Sequence, residues 1–358
     1  MENQIQRRAS RVIFVGGIPI GGNHPIPIQS MANTDPHDFS ETLRQARALK
    51  AAGCEILRLT VPDMKAAEVL SALKKENIGM PLVADIHFDY RLALASIEAG
   101  ADKIRINPGN IGDKEKVRAV VDACRERQIP IRIGVNSGSL EKHIYEKYGA
   151  PTAEALAESA LYHAAFLEEL SYQNIAISVK ASDVQTMILA NRILAEKTDY
   201  PLHLGVTEAG GGERALIKSA VGIGALLAEG IGDTVRVSLT DDPVEEISAA
   251  RNILASLGLA KAPGMDIVSC PTCGRTKIDL ISLCRAFEAR AKTEGLLSKN
   301  IKVALMGCVV NGPGEAREAD IGLAGGKGEA LLFSKGEILC KVAECDALDA
   351  LIEQIKKM

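Results

Sequence analysis

Between residues 26 and 240, short Val- and Ile-rich runs ending in polar residues alternate with amphipathic helical stretches. The runs are Pro27 to Met31, Glu55 to Thr60, Pro81 to His87, Lys103 to Asn107, Ile131 to Asn136, Ile175 to Lys180, Leu202 to Thr207 and Thr234 to Thr240. Strand-like runs separated by helices predict βα units and a parallel sheet. Eight of them predict a closed (β/α)8 barrel. An open doubly wound sheet would carry a glycine-rich turn after its first strand, whereas Gly21-Gly22-Asn23 precedes that strand.

Arg11 to Gly22 alternates apolar residues around Gly16-Gly17 and Gly21-Gly22 and predicts a hairpin closing the barrel floor. The last barrel helix should start at Asp242-Pro243, with Asp as N-cap, and stop at Gly258. Lys261 to Gly264 reads as a linker. The expected division is a substrate-binding TIM barrel over residues 1–260 and a small α+β domain over 261–358. The second should have a helix near Lys277 to Lys292, short strands and a final helix from Asp346.

Composition narrows this picture. With 3% aromatics and no Trp among 358 residues, the core must be aliphatic, and a base-stacking surface is not expected. A net charge of −4 leaves no polyanion footprint, so no nucleic-acid partner is expected. No run of 18 apolar residues predicts a membrane span. Met1 to Arg11 lacks the apolar stretch of a signal peptide. Eight cysteines then lead to the expectation of a reducing cytoplasm, with thiols used for metal or redox chemistry.

Side chains alternate faces along a strand. Arg58 shares a face with Thr60, Asp85 with His87, Arg105 with Asn107, and Arg132 with Gly134 and Asn136. Ser178 shares one with Lys180, His203 with Gly205 and Thr207, and Arg236 with Ser238 and Thr240. These residues fall toward the C-terminal ends of their runs, the catalytic end of a barrel. Each Arg could pair with a carboxylate on a neighbouring helix. Five cations in register (Arg58, Arg105, Arg132, Lys180 and Arg236) instead favour a small, multiply charged phosphate or diphosphate, which Arg matches with a bidentate fork. The loops Asn107 to Asn110 and Asn136 to Ser139 offer further donors, Asn107, Asn136 and Ser137 among them. Glu208 is a candidate general acid or a solvent-facing loop carboxylate. Asp85 and His87 are candidate proton handlers.

Cys270-Pro271-Thr272-Cys273-Gly274 places two thiols three residues apart, and Cys308 adds a third. Asn311-Gly312-Pro313-Gly314-Glu315 then offers a carboxylate where a fourth ligand is wanted. Electron-carrying clusters usually have four thiolates. One harder ligand leaves a position that can be displaced, and zinc is the alternative occupant. Cys54, Cys124, Cys284, Cys340 and Cys345 read as core residues.

These motifs, together with Arg105-Ile106-Asn107-Pro108-Gly109-Asn110 and Gly134-Val135-Asn136-Ser137-Gly138-Ser139, resemble those of the bacterial 4-hydroxy-3-methylbut-2-enyl diphosphate synthases over essentially the whole chain. The resemblance implies one 4Fe–4S cluster on Cys270, Cys273, Cys308 and Glu315. It implies reductive opening and dehydration of 2-C-methyl-D-erythritol 2,4-cyclodiphosphate, with electrons from flavodoxin or ferredoxin. It also implies a homodimer in which one subunit's cluster domain caps the other's barrel. The expected catalytic residues are Glu208, Glu315 and Asp85. The expected substrate-binding residues are Arg58, Arg105, Asn107, Arg132, Asn136, Ser137, Lys180, Thr207, Arg236, Ser238 and Asn311.

Overall fold

The computed structural model describes residues 5–261, 264–308 and 316–358, in two compact units that divide between Ala260 and Lys261. In the first, β1 (Ile13–Val15) and β2 (Ile18–Ile20) form the antiparallel hairpin. Ile13, Val15 and Ile20 pack against Ile56, Val83 and Ala176, near the starts of three later strands. The apolar face of the hairpin thus plugs the N-terminal end of the sheet.

The sheet comprises β3 (Gln29–Met31), β4 (Ile56–Thr60), β5 (Leu82–Asp85), β6 (Lys103–Ile106), β7 (Ile131–Asn136) and β8 (Ile175–Lys180), all parallel and in chain order. Two short strands follow, β9 (His203–Leu204) and β10 (Thr234–Val235), parallel to each other. Single bridges, Ile177 to Leu202 and Ile28 to Val235, join this pair to β8 and back to β3, so the ring closes. The runs expected to reach Thr207 and Thr240 are strand over only two residues each. Their polar ends lie in the following loops, beyond the last ladder bond from Arg236 N–H to Leu204 O at 2.9 Å.

Register sets the two faces. Ile104 stands opposite Ile131, and Ile133 opposite Ile177, as one buried aliphatic layer; Arg105 stands opposite Arg132, and Gly134 opposite Ser178, on the other face. Helices begin behind Asp caps: Asp63 accepts from Ala66 N–H, Asp183 from Thr186 N–H and Asp242 from Val244 N–H. The last barrel helix spans Pro243–Ser256.

The second unit is a five-stranded sheet: β11 (Asp266–Ser269), β12 (Lys302–Met306), β13 (Ile321–Gly325), β14 (Glu329–Ser334) and β15 (Glu337–Ala343). β11, β12 and β13 are parallel, β14 pairs antiparallel with β13, and β15 pairs antiparallel with β14. Helices Leu280–Thr293 and Ala347–Lys357 supply Phe287, Leu351, Ile352 and Ile355 to its core. The first of these starts three residues later than expected, because Asp279 caps it by accepting from Ser282 N–H.

Candidate active site

A cavity of about 110 Å³ is lined by Arg58, Asp85, His87, Arg105, Arg132, Asn136, Ser178, Lys180, Thr207, Arg236 and Ser238. Asp85, Asn136 and Lys180 end their strands, and His87, Thr207, Arg236 and Ser238 follow theirs, whereas Arg58, Arg105 and Ser178 sit mid-strand and Arg132 is the second residue of β7. The cations approach closely because the strands carry glycine at two inward positions. A Cβ on Gly134 would stand 2.2 Å from Arg105 Nε, and one on Gly205 would stand 2.8 Å from Lys180 Nζ and 2.6 Å from the Arg236 carbonyl oxygen. Both glycines fall on the inward face in the sequence pattern, but only the close approach explains them.

Carboxylates offset part of the charge. Asp85 accepts from Arg105 Nη1 at 3.1 Å and lies 3.6 Å from Arg58 Nε. Burial pushes the Asp85 carboxyl up, but Arg58 and Arg105 pull harder, and its pKa falls to about 2. Asp85 is therefore a standing carboxylate that aims two arginines, a poor proton donor at neutral pH, against the proton-handling role expected from its strand position. His87 Nε2 lies 3.8 Å from Asp85 Oδ2.

Glu246 of helix Pro243–Ser256 does the same for Arg236, at 3.3 Å from Nε and 3.2 Å from Nη2. The pairing of an arginine with a helix carboxylate thus holds at Arg236, in a residue that sequence reasoning missed. Met31 Sδ accepts from Arg58 Nε at 3.0 Å and from Arg236 Nη1 at 3.5 Å. Arg132 Nη1 donates to Gln29 Oε1 at 3.1 Å.

Desolvation lowers the pKa of Arg58 to about 10, still charged at neutral pH. Burial also pushes Arg132 and Lys180 well below their usual values, with Arg58 acting in the same direction on each. Deeper in the barrel, Lys103 and His203 are fully buried, and burial lowers both. Among the described residues neither Lys103 Nζ nor either His203 nitrogen has a hydrogen-bond partner.

Three expected residues stand off the cavity wall. Asn107 caps the short helix Pro108–Ile111, its side chain accepting from Gly109 N–H at 3.1 Å. Ser137 opens a 3-10 turn. Glu208 is exposed, with φ +52°, a left-handed conformation unusual outside glycine. Asn311 and Glu315 lie outside the described residues. A larger cavity of about 630 Å³, between helices Gly212–Ala228 and Pro243–Ser256, is bordered by Leu216, Ala220, Ile253 and Leu257 with scattered polar groups. It carries no convergent cations.

In the second unit, Cys270 follows β11, and Gly307-Cys308 follows the adjacent parallel strand β12. Gly307 N–H donates to Cys270 Sγ at 3.2 Å, and Gly307 O accepts from Lys277 N–H at 2.9 Å, so Cys308 is docked beside the C-x-x-C loop. Hydrogen bonds from the backbone and side chain of Arg275 hold the exposed Cys273 thiol below its usual range. Stabilised thiolates fit a soft metal or iron–sulfur group in kind. Among the described residues no three His, Cys, Asp or Glu side chains are gathered as a metal site. Cys54 and Cys124 are buried as expected, and Cys284 is half-buried. Cys340 and Cys345 are exposed, against the core placement expected for them: β15 is an edge strand and Cys345 follows it in a turn.

Fold and charge together define an α/β-barrel protein with a cation-lined cavity among its strands, joined to a thiol-bearing α/β unit. Residues 10–251 match the model of the GcpE TIM-barrel domain, and residues 266–357 match that of the GcpE protein C-terminal domain. The chain belongs to the GcpE family. It is 58% identical to the 4-hydroxy-3-methylbut-2-en-1-yl diphosphate synthase (flavodoxin) of Clostridium perfringens, over 98% of this chain and 99% of that one. It is 57% identical to the protein of the same name from Geobacter sulfurreducens, over 98% of each. Among solved structures, the type I 3-dehydroquinate dehydratase of Clostridium difficile matches with a TM-score of 0.51 at 17% identity, covering 70% of this chain and 98% of that one. The dihydropteroate synthase of Yersinia pestis matches with a TM-score of 0.51 at 12% identity, covering 70% and 100%. Those two likenesses show the fold alone.

Proposed function

We propose that this chain reductively opens and dehydrates 2-C-methyl-D-erythritol 2,4-cyclodiphosphate to 4-hydroxy-3-methylbut-2-enyl diphosphate. The carrying observation is the cavity in which Arg58, Arg105, Arg132, Lys180 and Arg236 meet among the barrel strands, in a chain similar over its whole length to enzymes named for that product. Four guanidinium groups and an ammonium face one carboxylate, Asp85, on the cavity wall. A cyclic diphosphate supplies the missing negative charge and accepts paired N–H donors. Asn136, Ser178, Thr207 and Ser238 add neutral polar groups around it, and Asn107 and Ser137 contribute from the loops after β6 and β7; Asn311, a further proposed contact, lies outside the described residues.

Cys270, Cys273, Cys308 and Glu315 hold one 4Fe–4S cluster in this reading; when bound it supplies the two electrons, received from flavodoxin or ferredoxin. Asp85 keeps Arg58 and Arg105 aimed at the anion, and burial excludes water that would screen them. Glu208 is the proposed proton donor to the departing hydroxyl, and its left-handed backbone is consistent with a functional constraint. The resemblance supports a homodimer, and eight free cysteines support a reducing, cytoplasmic setting.

Anaerobic purification and turnover with reduced flavodoxin test the reading. Brown protein with about four irons per chain, whose reduced EPR signal changes on adding the cyclodiphosphate, is expected. Colourless protein that holds only zinc and consumes no cyclodiphosphate overturns it.

A further inference from the structure

Glu246 does not line the cavity, yet the residue is 2% exposed and its carboxylate is bonded on both oxygens. Oε2 accepts from Ser30 Oγ at 2.7 Å and Arg236 Nε at 3.3 Å. Oε1 accepts from Arg236 Nη2 and from Leu239 N–H, both at 3.2 Å. One side chain therefore ties together β3, the arginine after β10, the loop carrying Ser238, and the start of helix Pro243–Ser256. Arg236 spends Nε and Nη2 on Glu246, and Nη1 turns toward the weak acceptor Met31 Sδ at 3.5 Å. Met31 Sδ also accepts from Arg58 Nε, so the thioether stands between two guanidinium groups.

We infer that Glu246 is a positioning residue for the anion cavity, acting through Arg236: it fixes the guanidinium plane so that the free edge faces the bound phosphoryl groups. The inference rests on reading the cavity as a diphosphate site. An arginine has many rotamers, and ordering one on ligand arrival costs free energy that a standing bidentate partner removes beforehand. Ser30 and the Leu239 N–H hold the carboxylate in turn.

Charge alone makes the opposite prediction. Removing a carboxylate from beside a cationic cavity raises the local positive potential and should tighten an anion. Aim and charge therefore differ in sign, and Glu246→Gln separates them.

The test is calorimetric binding of inorganic pyrophosphate to the full chain, for wild type, Glu246→Gln, Arg236→Ala and the double variant. Glu246→Gln should weaken binding about tenfold, roughly the worth of one well-placed charge-assisted hydrogen bond. The double variant should bind no more weakly than Arg236→Ala, because the effect runs through that residue. Unchanged or tighter binding by Glu246→Gln, or losses that add in the double variant, overturns the inference. If Arg236→Ala itself leaves binding unchanged, the reading of the cavity fails instead. Should Glu246→Gln not fold, Ser30→Ala removes one of the two bonds that hold Oε2 and keeps the charge. It should weaken pyrophosphate about twofold to threefold, and only while Arg236 is present; an unchanged affinity, or an equal loss in the Arg236→Ala background, overturns the inference.

Discussion

Asp85 and Lys103 are both buried and charged by type, and they bear on stability with opposite results. Asp85 has two guanidinium partners, and its pKa falls from 3.8 to about 2. A carboxylate held low in the fold stabilises it wherever the unfolded chain is already ionised. That contribution, about 2 kcal/mol for a shift of this size, is complete above roughly pH 4 and lost as pH falls through about 2. Melting curves across that acid window should fall steeply for wild type and much less for Asp85→Asn. At neutral pH Asp85→Asn should cost about 3 kcal/mol, because it leaves two buried guanidinium groups uncompensated, and pyrophosphate should restore part of it. Lys103 has no such partner among the described residues and stands opposite Val83, level with the apolar plug of the floor. Burial depresses it, so the unfolded chain binds the extra proton and stability rises with pH from the depressed value up to about 10.5. Lys103→Met should raise the melting temperature at pH 7 and flatten that alkaline rise.

Strands β6 and β7 place Arg105 and Arg132 side by side, and Gly134 leaves room for the first. Gly134→Ala puts a methyl into the path of Arg105 Nε on a strand that otherwise tolerates Cβ atoms. Circular dichroism should therefore report an intact fold while pyrophosphate affinity drops about tenfold or more, consistent with displacing a charge-assisted contact. The period-two alternation of these strands was legible in the sequence, because a pleated strand sends neighbouring side chains to opposite faces whatever it pairs with. The shortness of β9 and β10 was not. Leu202 to Thr207 and Thr234 to Thr240 have strand composition, but ladder bonds end where the neighbouring backbones separate, and that depends on partners far along the chain. The exposure of Cys340 has the same origin: among the described residues no strand pairs with the outer side of β15, so it lies at an edge.

The two units have separate apolar cores, and each should respond to its own ligand. Loading with iron and sulfide under anaerobic conditions should raise the calorimetric transition of residues 261–358, since a small domain gains from metal ligation. The overall charge of −4 conceals the cavity, whose cations are a small fraction of 42 basic residues. Raising salt should therefore weaken pyrophosphate binding through the local field, and Arg236→Ala should lose more affinity at low salt than at high salt. A loss that ignores salt counts against direct charge contact. No helix of the described residues is long and apolar enough to cross a membrane.

The order of βα units, the inward face of each strand, the presence of Arg58, Arg105, Arg132, Lys180 and Arg236 on those faces, and the C-x-x-C loop could all be read from local pattern. Each depends on chain geometry over a few residues. Tertiary structure alone decided that Asp85 clamps two arginines, that Gly134 and Gly205 make space for cations, and that Lys103 is buried without a partner among the described residues. It alone brought Glu246, which reads in sequence as an ordinary acidic residue of a first helical turn, against Arg236 and Ser30. Those pairings join residues from 10 to 216 positions apart. Sheet register and barrel closure bring them within bonding distance, and neither can be read from a local period.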